Sequence, residues 1–180
     1  MDETQLLLLL EKDINSGFRQ LIKMYSQTIY WHVRKIVYSH ADADDITQNV
    51  FIKVFQNLQG FKRNSSLKTW IYKIATHESL NFINSAAQKK NIRNEELVIL
   101  LSSQLKDDNF FDGDEIQYKL QQAIAKLPEK QRIVFNMKYF DNIKYEDMSE
   151  ILETSVGALK SSYYHATKKV EQFLLANIEK

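Results

Sequence analysis

One proline and four glycines are all that punctuate 180 residues, while Leu, Ile, Lys, Gln and Glu are abundant. Breakers that scarce leave long runs of residues that lose little freedom in a helix, and no stretch alternates apolar and polar residues between turn signals as a strand would. The expected fold class is all-α, in two small helical domains. From Ile14 the apolar positions Phe18, Leu21, Ile22, Tyr25, Ile29, Val33, Ile36 and Val37 recur at helical spacing and define one long amphipathic helix. A second is expected to open on Asp42, whose carboxylate would cap it, with Asp44 and Asp45 complementing the helix dipole. Its buried stripe would be Ile46, Val50, Phe51, Val54, Phe55 and Leu58, with Gly60 at its end. Beyond the polar residues 62–66, a third helix carries Leu67, Trp70, Ile71, Ile74, Ala75 and Phe82. These helices form a first domain over residues 1–93.

Charge divides the chain further. The formal net charge is +1, yet residues 1–13 carry −3, residues 14–93 carry +8, residues 94–115 carry −6 and residues 116–180 carry +2. Near-neutrality thus hides a basic domain beside an acidic connector. Residues 94–115 are expected to be a flexible linker with at most a transient helical turn around Leu97 to Leu101. There is no Cys, which removes disulfides and thiolate metal sites and suits a reducing compartment. The apolar run Leu6 to Leu10 is far too short to span a membrane and follows acidic residues, so a cytoplasmic protein with no membrane insertion is expected. The four His show no metal-ligand spacing, and the glycines form no phosphate loop. Neither metal nor other cofactor is expected. No acid, base and nucleophile set converges, so the chain is not expected to be an enzyme.

The second domain is expected over residues 116–180. Leu120, Ile124 and Leu127 share one helix face, and Pro128 suits the start of the next, which contributes Ile133, Val134 and Met137. Tyr145 to Leu152 reads as a short helix, Glu153 and Thr154 as a tight turn, and Ser155 as the cap of a longer helix. In that helix Val156, Leu159, Tyr163, Ala166 and Val170 face the core. Gly157, Ala158, Lys160, Ser161, Tyr164, His165 and Lys168 are left outside. This layout suits a helix-turn-helix: small residues let the helix backbone approach a major groove, and Lys160, His165 and Lys168 can meet phosphates or base edges. Short helix pairs also build ordinary bundles, and the pattern alone leaves both readings open.

The stretch LQQAIAKLPEKQRIVFNMKYFDNIKYEDMSEILETSVGALKSSYYHATKKVEQFL closely resembles region four, the promoter-reading C-terminal domain of extracytoplasmic-function sigma factors. Upstream, DADDITQNVFIKVFQNLQGFKRNSSLKTWIYKIATHESLNFI resembles region two of the same family. Two motif sets in the family's order say more than a helix-turn-helix, which says only that a chain binds DNA. The resemblance implies a sigma factor that directs core RNA polymerase to promoters and assists melting without catalysing a reaction. Its partners would be the clamp and flap regions of core polymerase and promoter DNA, and the family admits an anti-sigma factor as well. The departures are Ala158, where the family commonly has Thr, and Ser162, His165 and Thr167, where Arg often stands.

On this resemblance the outer face of the second helix, Asp45, Gln48, Asn49, Ile52 and Gln56, would dock on the polymerase clamp. An exposed Ile among amides suits a contact surface. The loop with Lys62, Arg63, Asn64, Ser65 and Ser66 would capture an unstacked base of the −10 element, with Lys68, Asn84, Lys89 and Lys90 on the flanking backbone. Lys73 and Arg93 are further candidates for backbone contacts, and each of these cations equally suits a solvated face. Trp70 at helical spacing belongs to the core rather than to a stacking platform. Ser155, Gly157, Ala158, Lys160, Ser161, Tyr164, His165 and Lys168 would read the −35 element. The acidic linker would either lie in a positive channel of the polymerase or serve as a solubilising tether. Two other readings remain: a helix-turn-helix regulator that needs no polymerase, and a helical adaptor with no nucleic-acid role.

Overall fold

The computed structural model describes residues 1–109 and 111–178. Among these residues the chain forms nine α-helices and no strand: α1 (Glu3–Lys12), α2 (Ile14–Val37), α3 (His40–Asn57), α4 (Leu67–Lys90), α5 (Asn94–Ser103), α6 (Glu115–Ala125), α7 (Glu129–Tyr139), α8 (Tyr145–Leu152) and α9 (Val156–Ile178). The apolar stripes of α2, α3 and α4 meet in a bundle whose centre holds Leu21, Ile29, Val33, Val50, Val54 and Ile71, all without measurable exposure. Helix α1 was not expected. Asp2 and Gln5 start it with a reciprocal pair of hydrogen bonds of 2.8 and 3.0 Å, and Leu6 is wholly buried against the bundle. It crosses α2 at Gly17, where a Cβ would stand 2.7 Å from the Leu10 Cα, so only glycine permits the approach. Asp13 then caps α2, accepting hydrogen bonds from the Asn15 and Ser16 amides at 3.0 and 3.2 Å.

Several local expectations need correction. Asp42 is not the cap of α3. The helix starts two residues earlier, Ser39 Oγ accepts from the Asp42 amide at 3.3 Å, and Asp42 lies in the first turn. The helix ends at Asn57, and Gly60 closes a separate 3-10 turn, Leu58–Gly60. Phe55 is 41% exposed, its ring meeting Phe18 at 4.8 Å between centroids. Helix α4 runs on to Lys90, where Asn91 adopts a left-handed backbone with φ 55° and stops it. The segment expected as a flexible linker carries a full helix, α5, and a 3-10 turn, Gln104–Asp107. Leu97, Val98 and Leu105 are buried in the main core, which gives this acidic segment a fixed place on the fold.

Helices α6, α7 and α9 enclose a smaller core of Ala123, Ile124, Leu127, Phe135, Ala166 and Val170. Met148, Ile151 and Leu159 belong instead to the main cluster, so the two halves share buried apolar surface. Asp141 carries the polar part of that contact. Its Oδ2 accepts from His32 Nδ1 at 2.8 Å, and its Oδ1 from Lys35 Nζ at 2.7 Å. The other imidazole nitrogen of His32 lies 2.8 Å from Thr76 Oγ1, whose hydroxyl donates to the Tyr72 carbonyl at 2.8 Å. Burial alone would push the Asp141 carboxyl up, but the His32 hydrogen bond and the charges of His32 and Lys35 outweigh it and hold it below the usual carboxylate range. Arg34 and Asp108 form a second long-range pair at 2.5 Å, tying the segment after α5 to α2.

Asp141 is 5% exposed, and removing it takes the acceptor from the buried Nδ1 of His32 and from the half-buried ammonium of Lys35. Asp141→Ala should therefore destabilise the chain by about 3 kcal/mol, read as a lowered urea midpoint at neutral pH. Because the carboxyl is depressed in the folded state, its contribution is complete above pH 3.8 and is lost as pH falls through the lower folded value. The difference between parent and variant should accordingly shrink in acid. Leu97→Ala, at 1% exposure, should cost about 3 kcal/mol if α5 is packed as described. A surface tether would show no change in midpoint.

Candidate nucleic-acid and polymerase interface

Three surfaces hold the residues singled out in the sequence. On α3, burial of Ile46, Val50 and Val54 turns the opposite side outward, and Asp45, Gln48, Asn49, Ile52 and Gln56 are all exposed. Ile52 is 54% exposed, an apolar centre within a polar face. Asp44 Oδ2 accepts from the Gln48 amide nitrogen at 3.3 Å, which keeps that side chain along the helix.

The second surface is the loop before α4. Phe61 anchors one end, its ring 5.0 Å from that of Trp70, and Ser66 fixes the other, its Oγ accepting from the Thr69 amide at 3.0 Å. Between them Arg63 has φ 56°, the left-handed region that a non-glycine residue rarely adopts, and the chain reverses there. Lys62, Arg63, Asn64 and Ser66 are exposed and Ser65 is half-buried. The loop borders a cavity of about 230 Å³ lined by residues 60–65, Thr69, Trp70, Lys73 and Glu150. Trp70 is half-buried, while Ile71 and Tyr72 are buried and offer no stacking face. Lys68 is exposed one turn into α4, and Asn84, Lys89 and Lys90 are exposed toward its far end. Asn84 Oδ1 accepts a hydrogen bond from Asn94, so this amide is engaged by the start of α5.

The third surface is the start of α9. Glu153, with φ 51°, ends α8, and Ser155 Oγ accepts from the Ala158 amide at 3.3 Å to start α9. Leu159, Ala166 and Val170 are buried, as their spacing requires. Ser155, Gly157, Ala158, Lys160, Ser161, Tyr164, His165 and Lys168 are all exposed, and a Cβ on Gly157 would meet nothing within 4 Å. Lys160 Nζ lies 5.8 Å from the centre of the Tyr145 ring at the start of α8, and Lys168 pairs with Glu171 at 3.1 Å. The face is therefore small-residued and modestly basic. Among the described residues no three His, Cys, Asp or Glu gather as a metal would need, and no helix is long and apolar enough to cross a membrane.

A short helix, a left-handed turn and a capped helix with a bare outer face, set behind a basic helical bundle, coincide with two sequence families. Residues 21–89 match sigma-70 region 2, and residues 117–170 match sigma-70 region 4. The chain belongs to the sigma-70 family, in its extracytoplasmic-function group. This sigma factor is 27% identical over 172 residues to the ECF RNA polymerase sigma factor SigW of Bacillus subtilis (strain 168), covering 91% of this chain and 92% of that one. It is 24% identical over 169 residues to the ECF RNA polymerase sigma-E factor of Escherichia coli (strain K12), with 89% and 88% covered. Two solved structures share the fold. The sigma factor RpoE of Bartonella quintana, in complex with the anti-sigma factor NepR, superposes with a TM-score of 0.69 at 17% identity, covering 89% of this chain and 98% of that one. CnrH in complex with the cytosolic domain of CnrY superposes with a TM-score of 0.72 at 16% identity, covering 97% and 98%.

Sequence reasoning missed the acidic groups that stand against the loop and α4. Glu11 pairs with Arg63, Glu3 Oε1 accepts from the Leu67 amide at 2.8 Å, Asp147 Oδ1 accepts from Thr69 Oγ1 at 3.2 Å, and Glu153 pairs with Lys73 at 2.7 Å. That last hydrogen bond and the Lys73 charge hold the Glu153 carboxyl below its ordinary range. The local signals were the net charge of −3 over residues 1–13 and the acidic composition of α8.

The bare face of α9 gives a direct test. Replacing Lys160 and Ser161 together by Ala should lower output from a cognate promoter about fivefold, the equivalent of about 1 kcal/mol of lost contact, with polymerase association unchanged. Unaltered output would remove this face from the interface.

Proposed function

We propose that this sigma factor divides its work among the three surfaces. The outer face of α3 docks on the clamp of core RNA polymerase, the loop before α4 captures an unstacked base of the −10 element, and the first turns of α9 read the −35 element in the duplex major groove. The unit spanning residues 1–93 performs the first two tasks and residues 116–180 the third, with contact to the polymerase flap, while residues 94–115 connect them. An anti-sigma partner belongs to the same reading. The chain acts in the cytoplasm, as its lack of cysteine suits, and catalyses no reaction itself.

The observation that supports this reading is that the residues of the three sets are exposed, Ser65 being half-buried, while the apolar residues between them on their helices are buried. Melting then requires no reacting group. A base held outside the stack by Asn64, with cations on the flanking phosphates, shifts the balance between closed and open DNA by the differential affinity for the open form. Exposed phosphate contacts are few, so duplex binding by the sigma factor alone should be weak and salt-dependent, and polymerase should make it tight.

The docking and reading tasks are separable by mutation because the two residue sets share no contact. Asp45→Ala with Gln48→Ala should weaken co-purification with core polymerase, by about 1 to 2 kcal/mol for each contact removed. Arg63→Ala with Asn64→Ala should leave co-purification intact and reduce permanganate-detected strand opening. In vitro transcription with core polymerase, read by sequencing of start sites, provides the promoter. If the loop variant opens promoter DNA as well as the parent, base capture by the loop is wrong.

A further inference from the structure

The loop before α4 does not hold its own shape. Among the described residues no backbone hydrogen bond involves residues 62–65. The chain also turns there through Arg63 at φ 56°, a conformation that costs a non-glycine residue free energy and has to be held by its surroundings. Helix α1 supplies the support. At the downstream end Glu3 Oε1 accepts from the Leu67 amide at 2.8 Å, one of the free amides at the start of α4. Burial, with the Glu3 carboxylate beside it, pushes the Tyr25 hydroxyl of α2 up to about 12, so the same acid also stands against α2. At the turn itself Glu11 pairs with Arg63. Leu7 and Leu10 share a cavity of about 210 Å³ with Leu58, Phe61 and Arg63. Glu3 and Glu11 stand about two helical turns apart, roughly 12 Å, which the four-residue step from Arg63 to Leu67 can span. Helix α1 is itself fixed by the wholly buried Leu6 and by its close crossing at Gly17.

We infer that α1 braces the base-capture loop: Glu3 and Glu11 are positioning residues that fix its downstream end and its turn, and so present Asn64 and Ser65 in one shape. This role rests on base capture by the loop as proposed above. It also gives Arg63 a different part. Its guanidinium is turned to Glu11 and supports the turn, which leaves the flanking phosphate to the exposed Lys62. The Arg63 and Glu11 side chains are 52% and 56% exposed, so their pair adds little to the stability of the whole chain. Its effect falls on the population of loop shapes, where a small bias is enough. A site that is only fractionally in its competent shape binds more weakly by that fraction, and a brace removes the loss. Docking by α3 and duplex reading by α9 use other surfaces and are independent of it.

The test uses the full-length chain, free and bound to core polymerase, on a promoter found by start-site sequencing. Glu11→Arg and Arg63→Glu should each lower permanganate-detected opening at least about threefold, with co-purification unchanged. The double variant Glu11→Arg, Arg63→Glu should recover opening, because the pair is remade with its signs exchanged. A double variant as defective as Arg63→Glu overturns the brace and returns Arg63 to the strand. Glu3→Ala should also lower opening, whereas Glu3→Gln, which keeps an oxygen for the Leu67 amide, should not. If Glu3→Ala fails to fold, the Glu11 and Arg63 variants decide, both positions being exposed. A second measurement needs no promoter. In the free chain, limited trypsin cleavage after Lys62 should be at least about threefold faster in Glu11→Gln, since a released turn reaches the protease more often. Equal cleavage in parent and variant overturns the brace. Asn64→Ala decides the base-capture reading separately: normal opening sinks that reading, whereas defective opening beside normal opening by Glu11→Arg sinks the brace alone.

Discussion

Asp141 is held between His32 and Lys35 of α2, and the relation of the two halves of the chain turns on that arrangement. A carboxylate this deeply enclosed is tolerated only because His32 and Lys35 each donate to a different oxygen, at 2.8 and 2.7 Å, and because Thr76 meets the far side of the imidazole. Paired, the three groups tie the segment between α7 and α8 to α2. Immediately after it α8 packs on α4, where Met148 and Ile151 join the main core and Asp147 and Glu153 reach Thr69 and Lys73. Remove the carboxylate and a buried imidazole and a half-buried ammonium lose their acceptor, a larger effect than any of the surface pairs can supply.

The apolar and ionic parts of the contact between the halves have different consequences. Burial of Met148 and Ile151 is insensitive to salt and gives the association its persistence. The pairs at Lys73 and Arg63 are exposed and contribute little to stability. The packed α5 limits how the halves separate: with Leu97 and Val98 buried and Arg34 bonded to Asp108, the connector is itself an element of the fold.

Much of this was legible from residue order. The periods of α2, α3 and α9 located their buried and exposed sides, because helix periodicity is a local property that burial against any partner reveals. The faces carrying Asp45, Gln48 and Ile52, and Lys160, Ser161 and His165, emerged exposed for that reason. Boundaries were harder. Ser39 outcompeted Asp42 as a cap because the left-handed backbone of Tyr38, φ 63°, ends α2 immediately before it, a geometry that no propensity announces. Helix α5 was hidden by its charge: Glu95 and Glu96 in its first turn favour a helix start, yet beside Asp107, Asp108, Asp112 and Asp114 they read as a solvated tether.

By itself the sequence determined the helical class, the helix-turn-helix, the sigma-70 membership and the residues on the exposed faces of α3 and α9, since each depends on spacing within a short stretch. Tertiary structure alone decided that Leu97 and Val98 would be buried, that His32 would be a structural residue joined to Asp141, and that the acids of α1 and α8 would face the basic loop and α4. Those contacts join residues separated by 52 to 109 positions. Which acid meets which base over such separations is set by how whole helices pack their apolar faces, and charge then settles into the positions that packing leaves.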